Sequence, residues 1–363
     1  MNISTNNKTI LIAPLNWGLG HATRCIPIIK ALQEQNYIPI IASDGDALAL
    51  LRKEFPYIQT LELPSYHIEY AKNGRNFKWK LIKNSPKMIE AILDEKRLVA
   101  KWIKKYGIDG IISDNRLGVY NSKIPSVFIT HQLNVLTGNT TWLTSKWHQH
   151  FIKKHLECWV PDVAETSNLT GILGHLNHNG LNLKYIGPLS RMKKKEAEIH
   201  YDLMVLLSGP EPQRSMLEAK LNDEIQQFKG KVVFVKGKVE KNQTKEHIGS
   251  VTYYNFMNTK QLEQTFNESN LVLCRSGYTT VMDLVKLEKK AFFIPTPGQY
   301  EQIYLAEKLQ AENFVPFTTQ DEFTITDLHK TADFKGLPKI ENHTDWESLF
   351  QIFEKPLKGK SVM

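Results

Sequence analysis

A glycine loop near the N-terminus carries the first residues suited to chemistry. Gly18, Gly20 and His21 lie between a short apolar run and a helical stretch. Glycines at such a junction let the backbone turn tightly, so that amide N–H groups and the start of the helix face a ligand. Histidine exchanges a proton near neutral pH. The loop therefore predicts a ligand site with His21 as its proton-transfer group, and a polar helix cap is the alternative interpretation.

A loop in the last third of the chain combines glycine with hydroxyl side chains. Ser276, Gly277, Thr279 and Thr280 follow an apolar run and begin a helical stretch. Hydroxyl and backbone N–H groups at a helix start form a suitable cradle for a diphosphate. Asp283 follows about one helical turn after Thr279, where a carboxylate can accept hydrogen bonds from ribose hydroxyls. This pattern favours a nucleotide site over an ordinary strand-to-helix turn.

Other polar residues and glycines follow apolar runs in the same way. Glu301 and Gln302 come after a proline-rich turn, which can hold polar side chains towards a bound ligand. Gly209 follows the apolar run Leu203 to Leu207, although by itself it indicates only a turn.

The elements that would position these loops alternate between short apolar runs and longer amphipathic stretches, which is typical of repeated βα units. Because the runs are apolar throughout, they predict parallel strands that are buried on both faces. In the first half these strands are Thr9 to Pro14, Tyr37 to Ser43, Gly110 to Ser113 and Ser126 to Thr130. In the second half they are Leu203 to Leu207, Lys231 to Val235, Val251 to Tyr254, Leu271 to Cys274 and Ala291 to Ile294.

The predicted fold class is α/β, with two successive domains of similar size. A chain of 363 residues is about right for two domains. The predicted boundaries are residues 1–187 and 201–363, joined by a charged linker at 188–200, and the C-terminal tail is a candidate to pack back on the first domain. Pro27 predicts that the first helix begins near Thr23 or Arg24, because proline is tolerated in a first turn.

Composition excludes several classes of protein. Hydrophobic residues at 41% and charged residues at 23% describe a globular chain rather than a disordered or fibrous one. No run reaches the roughly 18 apolar residues that span a bilayer. The three cysteines, Cys25, Cys158 and Cys274, lack metal-ligand spacing, so reduced thiols in a cytoplasmic protein are expected. The net charge of +8 suits anionic partners such as phosphates, lipid head groups or nucleic acid.

Two longer motifs resemble those of a known enzyme family. The run from Arg275 to Asp283, followed by Pro295-Thr-Pro-Gly-Gln-Tyr-Glu-Gln302, is similar to the donor-binding motif of inverting nucleotide-sugar glycosyltransferases. The Gly18-Leu-Gly-His21 loop resembles the N-terminal glycine loop of that family. The resemblance is to glycosyltransferase family 28, with its lipid-linked N-acetylglucosaminyltransferase of peptidoglycan synthesis, and to the UDP-glycosyltransferases. It covers about residues 8–318 and implies the GT-B fold, with two facing Rossmann-like domains and a cleft between them.

The resemblance implies a role for each matched residue. His21 would be the general base, and Asp114 would orient it, because a carboxylate on one ring nitrogen raises the basicity of the other. Among the candidate donor-binding residues, Ser276, Gly277 and Thr280 would hold the diphosphate, Asp283 (Glu in many relatives) would hold the ribose, and Gln302 would contact the sugar with Glu301 beside it. Gly209 matches the glycine loop of the family's second domain, and Thr279 is added by its position in the hydroxyl-rich loop. Arg275 or Arg191 would stabilise the leaving-group charge. Gly18 and Gly20 belong to the matched glycine loop of the first domain. Independently of the resemblance, His131 and Gln132 are candidate acceptor contacts by their position at the end of the predicted strand Ser126 to Thr130.

The implied reaction is a single in-line displacement at the anomeric carbon, with a UDP-linked sugar such as UDP-N-acetylglucosamine as co-substrate. An acceptor hydroxyl deprotonated by His21 attacks while the nucleoside diphosphate leaves, so the configuration is inverted. No cofactor and no metal ion are expected, because no Asp-x-Asp pair is recognised at a strand end. The acceptor is left open among carbohydrates, lipid-linked molecules and small molecules.

Two basic aromatic segments are candidates to contact a membrane surface. Lys72 to Lys83 and Trp142 to Lys154 mix cationic and large apolar residues, a composition suited to an anionic membrane surface. Solvated helix faces with a few core anchors are the alternative. The expected location is the cytoplasm, at the inner face of the plasma membrane where these segments bind lipid. Nucleic acid is not an expected partner, because no nucleic-acid module is recognised.

Two other functions stay open at the level of the sequence. A UDP-sugar 2-epimerase of related fold would need acid and base groups beside the donor sugar, rather than a base in the first domain. A non-catalytic nucleotide-sugar-binding subunit would need a partner for turnover, and it would not require His21 or Asp114.

Overall fold

The computed structural model describes residues 8–66, 77–176, 180–209, 211–238, 240–340 and 344–354, with no side chains described for 77–86. The chain forms two compact units, each built on one β-sheet. The first unit holds nearly all described residues up to Leu189 together with residues 344–354. The second unit begins at Ser190 and holds the described residues up to 340.

The sheet of the first unit is parallel, in the order β3-β2-β1-β4-β5-β6-β7. Its strands are β1 Thr9–Pro14, β2 Ile38–Ser43, β3 Thr60–Glu62, β4 Ile108–Asp114, β5 Ser126–Ile129, β6 Glu157–Val160 and β7 Leu183–Tyr185. The α-helices of its described residues are α1 Gly20–Glu34, α2 Gly45–Glu54, α3 Phe77–Tyr106 and α4 Thr141–Ile152, with α9 Trp346–Phe350 near the C-terminus.

The sheet of the second unit has the order β10-β11-β9-β8-β12-β13, and only the edge pair β10-β11 is antiparallel. Its strands are β8 Tyr201–Leu206, β9 Val232–Val235, β10 Lys245–Ile248, β11 Val251–Tyr254, β12 Ser269–Cys274 and β13 Lys290–Phe293. Its α-helices, within the described residues, are α5 Gln213–Ile225, α6 Thr259–Asn267, α7 Tyr278–Leu287 and α8 Tyr300–Ala311.

The central strands form the cores, as their unbroken apolar composition predicts. Along β1, every residue from Ile10 to Ala13 is fully buried, as expected for a parallel strand covered by helices on both faces. The predicted α/β class is therefore confirmed. Strands β3, β6, β7 and β10 were not predicted from the sequence. Of these, β3, β7 and β10 are short strands at sheet edges, where polar side chains remain partly or fully exposed, whereas β6 is a buried strand of four residues.

The predicted start of the first helix is wrong. Helix α1 begins at Gly20, so Pro27 lies inside the helix rather than in its first turn. Proline at that place removes one backbone hydrogen bond. The burial of Ile26, Ile28 and Ile29, which are fully inaccessible to solvent, offsets this loss.

The described C-terminal residues pack against the first sheet. Phe353 lies against Gly110, where an added Cβ would come within 2.4 Å of its ring, so glycine is needed there. The Tyr37 ring packs edge-on against Phe350 at a centroid distance of 5.5 Å, and the Lys8 ammonium donates to the Phe353 carbonyl oxygen at 2.6 Å.

Within the described ranges, no helix combines the length and apolar character needed to cross a bilayer. The segment Lys72 to Lys83, predicted as a basic aromatic surface, lies outside the residues whose side chains are described.

Candidate active site

The first sheet reverses its strand order between β1 and β4, and this point collects the polar residues of the first unit. Pro14 and Asp114 are register partners at the carboxyl ends of the two strands. The loop after β1 therefore leaves the same sheet edge at which Asp114 ends β4. In open α/β sheets, ligands bind in the crevice at such a reversal. Gly18 has a positive φ of 69° in this loop, a conformation that glycine adopts without strain.

His21 lies in the first turn of α1, beside the carboxylate of Asp114. The distance from His21 Nδ1 to Asp114 Oδ1 is 2.8 Å. Asp114 is fully buried, whereas the His21 side chain keeps 12% of its surface exposed. The structure thus brings together two residues that are far apart in the chain, with one imidazole nitrogen held by a carboxylate.

Arg24, which sequence analysis did not assign to the site, completes this cluster. Its Nε donates to Asp114 Oδ2 at 2.6 Å, and its Nη2 donates to Asp114 Oδ1. A further contact of 3.0 Å joins Arg24 Nη1 to His131 Nδ1, so that His131, one of the two candidates after β5, also belongs to the cluster. Gln132 is half-buried next to it.

The electrostatics of the cluster favour an ionised carboxylate and a neutral imidazole. Burial by itself would raise the pKa of Asp114, but the charges and hydrogen bonds of Arg24 and His21 hold that pKa well below its usual range. For His21, burial lowers the pKa below its ordinary value, Asp114 opposes this change, and Arg24 and His131 add to it. A neutral histidine beside an ionised aspartate is able to accept a proton at neutral pH.

A second charged cluster lies at the same sheet edge, on the other side of β1. Asp44 follows β2 and forms an ion pair with Arg116, whose Nη1 also donates to Glu95 Oε1 at 3.0 Å. Arg116 and Glu95 are fully buried. The expectation that no Asp-x-Asp pair follows a strand is therefore wrong, because Asp44-Gly45-Asp46 directly follows β2. The Asp44 carboxylate is engaged by Arg116, and among the described residues no group of three His, Cys, Asp or Glu is arranged as a metal site.

The second sheet has its own reversal, between β8 and β12. Leu206 and Cys274 are register partners at the carboxyl ends of these strands, and Cys274 is also level with Phe293 of β13. The loops that contain Gly209, Ser276 and Gly277 therefore leave the same sheet edge. Because the reversal is the usual ligand position, this edge is the candidate nucleotide site.

Three loops converge at that edge. The Gln302 side chain accepts a hydrogen bond from the Thr296 backbone N–H at 2.9 Å, and the Ser276 hydroxyl donates to the Gln302 carbonyl oxygen at 2.7 Å. A Cβ added at Gly277 would lie 3.9 Å from Gln302 Nε2, and one at Gly209 would lie 3.8 Å from Thr296 Oγ1. Gly209 has a φ of 100°, which requires glycine.

The buried side chain of Arg275 connects these loops through hydrogen bonds to their backbone. It is 1% exposed, and its guanidinium donates to the carbonyl oxygens of Ile294, Pro295 and Gln213 at 3.0 to 3.1 Å. Burial lowers its pKa to about 9. These contacts join the loop after β12 to the loop after β13 and to the start of α5, and the contact of Arg275 with a diphosphate stays a prediction.

Asp283 lies in α7, one turn beyond the loop, and is 9% exposed. Its Oδ1 accepts a hydrogen bond of 2.5 Å from the hydroxyl of Ser190, the first residue of the second unit. Burial raises the pKa of Asp283 to about 6, although the Ser190 hydrogen bond and the charge of Arg191 oppose this. A hydroxyl group therefore already occupies the carboxylate that was expected to bind ribose hydroxyls.

The N-cap position of α7 supplies no capping side chain. Its N-cap residue is Gly277, whereas the neighbouring helix α6 has an Asn258 cap whose side chain accepts from the Gln261 backbone N–H. Thr279 and Thr280 lie half-buried in that first turn. Backbone N–H groups and hydroxyls at a helix start suit a phosphate group.

Sequence reasoning missed Arg24, Ser190 and Thr296 as members of these sites. For Arg24 there was a usable signal, since positions i and i+3 on a helix share one face and Arg24 follows His21 at that spacing. Ser190 and Thr296 meet their partners only through the tertiary structure.

Comparison with known proteins shows which sequences the chain is similar to. Residues 212–341 match the glycosyltransferase family 28 C-terminal domain. The chain is 22% identical over 337 residues to the UDP-N-acetylglucosamine--N-acetylmuramyl-(pentapeptide) pyrophosphoryl-undecaprenol N-acetylglucosamine transferase of Haemophilus ducreyi, covering 89% of this chain and 88% of the relative. The enzyme of the same name from Buchnera aphidicola is 24% identical over 297 residues, covering 76% and 73%.

Solved structures show the same fold at low sequence identity. The calicheamicin glycosyltransferase CalG4 superimposes with a TM-score of 0.60 at 11% identity, covering 96% of this chain and 94% of its own. MurG of Acinetobacter baumannii gives a TM-score of 0.53 at 12% identity, covering 90% of both chains. The protein is thus a GT-B glycosyltransferase, similar to MurG and to the UDP-glycosyltransferases.

Proposed function

We propose that this glycosyltransferase moves a sugar from a UDP-linked donor to an acceptor hydroxyl with inversion, and that His21 is the general base. The observation that carries the proposal is the 2.8 Å contact between His21 Nδ1 and the buried Asp114 carboxylate at the β1–β4 reversal. An ionised carboxylate on Nδ1 leaves Nε2 to take the proton of a hydroxyl group.

The donor is assigned to the second unit. Gly209 and Gly277, in the loops after β8 and β12, lie at one sheet edge with Gln302 in the first turn of α8, and the start of α7, whose N-cap is Gly277, lies among them. The name of the Haemophilus ducreyi relative specifies UDP-N-acetylglucosamine, which is the donor we propose for this chain. Asp283 would bind the ribose once the Ser190 hydroxyl is displaced.

The reaction follows from these assignments. The acceptor oxygen forms a bond to the anomeric carbon of the donor, and the bond from that carbon to the diphosphate oxygen breaks. The acceptor proton goes to His21 Nε2, and the diphosphate leaves with the bonding electron pair. Backbone N–H groups at the start of α7 stabilise the charge that develops on it. Since the attack comes from the face opposite the leaving group, the product has inverted configuration.

For the acceptor we propose a lipid-linked molecule at an anionic membrane surface, and α4 supports this. Three large apolar side chains are exposed on one face of the helix, Trp142 at 72%, Leu143 at 62% and Trp147 at 40%. Lys146 is exposed among them, and the opposite face is buried. Tryptophan beside lysine suits the head-group region of an anionic bilayer. The relatives' names likewise specify an undecaprenol-linked substrate.

The proposal is tested first by calorimetric titration of the protein with UDP, GDP, TDP and UDP-N-acetylglucosamine, without added metal. We expect saturable binding of the uridine compounds, and His21→Gln should bind them as the wild type does while its kcat falls on the order of 100-fold or more. Asp283→Ala should lose donor affinity instead. Equal loss of donor affinity in both variants would contradict this division of roles, and no nucleotide binding at all would refute the donor site.

A further inference from the structure

The Arg24 guanidinium makes contacts in two directions, and this bears on both histidines of the cluster. It is 1% exposed and binds both oxygens of Asp114, with Nε to Oδ2 at 2.6 Å and Nη2 to Oδ1. Its remaining arm lies 3.0 Å from His131 Nδ1. Arginine has five N–H donors and no acceptor, so every one of these contacts needs an acceptor on the other side.

For His131 this requirement decides the position of the ring proton. Because Arg24 Nη1 can only donate, His131 Nδ1 must present a lone pair. A neutral imidazole with a lone pair on Nδ1 carries its proton on Nε2. Arg24 therefore holds His131 in the Nε2–H form, which is able to donate a hydrogen bond from that nitrogen.

For His21 the contacts of the same cluster place the ring proton on Nδ1 instead of Nε2. Nδ1 lies 2.8 Å from Asp114 Oδ1 and 2.9 Å from Arg24 Nη2. A bare Nδ1 would direct its lone pair at an ionised carboxylate, which is repulsive, whereas an Nδ1–H donates to it. Arg24 Nη2 and the Nδ1–H of His21 then donate to the same carboxylate oxygen, Asp114 Oδ1, so the two nitrogens lie side by side around a shared acceptor and are not hydrogen-bonded to each other. The proton of His21 thus belongs on Nδ1, which leaves Nε2 as a proton acceptor.

We propose that Arg24 is a positioning residue that sets opposite tautomers on the two histidines: it holds Asp114, which fixes the proton of His21 on Nδ1, and it contacts His131 directly, which fixes the proton of that ring on Nε2. Nε2 is then a proton acceptor on the His21 ring and carries the proton on the His131 ring. The groups that face His21 are Asp114 from β4, Arg24 from its own helix and His131 from the loop after β5. The use of the His21 acceptor as a catalytic base rests on the proposed function, but the tautomers themselves do not.

The test is long-range 1H–15N correlation of protein labelled with 15N-histidine at pH 7.5, which distinguishes the two tautomers of each ring. The signals of the two rings among the 12 histidines are assigned by their loss in His21→Gln and His131→Gln. We expect the Nδ1–H pattern for His21 and the Nε2–H pattern for His131. The reverse pattern at either ring in the wild-type protein would overturn the proposal.

Arg24→Lys keeps the positive charge, but a lysine cannot contact Asp114 and His131 at the same time. Arg116→Lys is the matched control. Arg116 is equally buried and pairs with Asp44 and Glu95 instead. In Arg24→Lys we expect a mixed tautomer pattern at His131 and a kcat reduced on the order of 100-fold with donor affinity retained. Arg116→Lys should leave both ring patterns unchanged. Wild-type ring patterns in Arg24→Lys would overturn the proposal. If the patterns are as expected but His21→Gln keeps its kcat, the tautomers stand and the base role in the proposed function fails.

Discussion

At the scale of single residues, the two candidate sites differ in the surroundings of their buried carboxylates and therefore in the pKa of each. Asp114 is buried with an arginine and a histidine, and their charges hold its pKa low. Asp283 is buried with a serine hydroxyl, and the more distant Arg191 charge does not offset the desolvation, so its pKa is raised to about 6. Asp114 is therefore ionised at every physiological pH, whereas Asp283 gains a proton when the pH falls to about 6.

This difference predicts a pH dependence of donor binding. Because the pKa of Asp283 is raised to about 6, its carboxylate is available above that pH and is protonated below it. The affinity for UDP-N-acetylglucosamine should be constant from pH 8 to 7 and then fall, by about tenfold per pH unit well below pH 6. Calorimetry between pH 8 and 5 measures this. The bound diphosphate is esterified at both ends, so it does not itself titrate in this range.

The control for this pH dependence is Asp283→Asn, which removes the titrating group while keeping the shape of the side chain. Its donor affinity should be weaker than that of the wild type at pH 8 and should not change on acidification. Parallel curves for the two proteins would contradict the assignment of Asp283 to the ribose.

At the scale of elements, the candidate site residues follow the carboxyl ends of parallel strands, and the N-cap residues of the helices that begin there do not cap those helices with their side chains. The N-cap residues of α1, α5, α7 and α8 offer no side-chain acceptor to a backbone N–H of the first turn, whereas those of α6 and α9 do. In α5 the residue before the N-cap does this instead, because the Glu211 carboxylate accepts a hydrogen bond of 3.2 Å from the Ser215 backbone N–H. Element α4 is unusual in another way. It buries Ser145, His148, Gln149 and Ile152 and exposes its tryptophans, the reverse of a typical surface helix.

The exposed face of α4 predicts vesicle binding. Wild-type protein should co-sediment with vesicles that contain about one third phosphatidylglycerol and should bind pure phosphatidylcholine vesicles weakly. Replacing Trp142 and Trp147 together by serine should reduce binding on the order of tenfold, because two large apolar side chains no longer enter the interface. Raising the salt concentration should weaken the binding that remains.

The matched control for α4 is Tyr57→Ser, which removes a fully exposed aromatic ring elsewhere in the first unit. It should leave vesicle binding unchanged. Binding that is lost equally in Tyr57→Ser, or that is retained when both tryptophans are replaced, would show that α4 is an ordinary solvated face.

At the scale of the whole molecule, the proposed reaction is divided between two units with related architecture. Each unit places its candidate site where the strand order of a parallel sheet reverses. The charge of the chain, +8 at neutral pH, favours an anionic donor and an anionic surface. In this division the second unit supplies the diphosphate cradle and the first supplies the proton acceptor.

This division predicts that transfer is independent of a metal ion, because backbone N–H groups rather than a cation would stabilise the leaving diphosphate. The transfer rate in excess EDTA should remain within about twofold of the untreated rate. Adding Mg²⁺ back should not increase the transfer rate. Loss of activity in EDTA that Mg²⁺ restores would contradict the proposed stabilisation of the leaving group.

The sequence by itself determined the local features of this protein. Unbroken apolar runs predicted the central strands, because a strand buried on both faces admits few polar residues. Glycine at 18 and 209 marked turns that require a positive φ. The polar residues after these runs, such as His21 and Asp283, could be singled out because their position in a βα unit is a local property of the chain.

Only the tertiary structure decided which of these residues meet. The contacts of Asp114 with Arg24, of Asp283 with Ser190 and of Arg275 with Pro295 depend on which strands are neighbours and in which register. Strand order is set by the packing of whole elements, so no local periodicity encodes it. For the same reason Asp44, which follows β2, was not recognised as the ion-pair partner of Arg116, which follows β4.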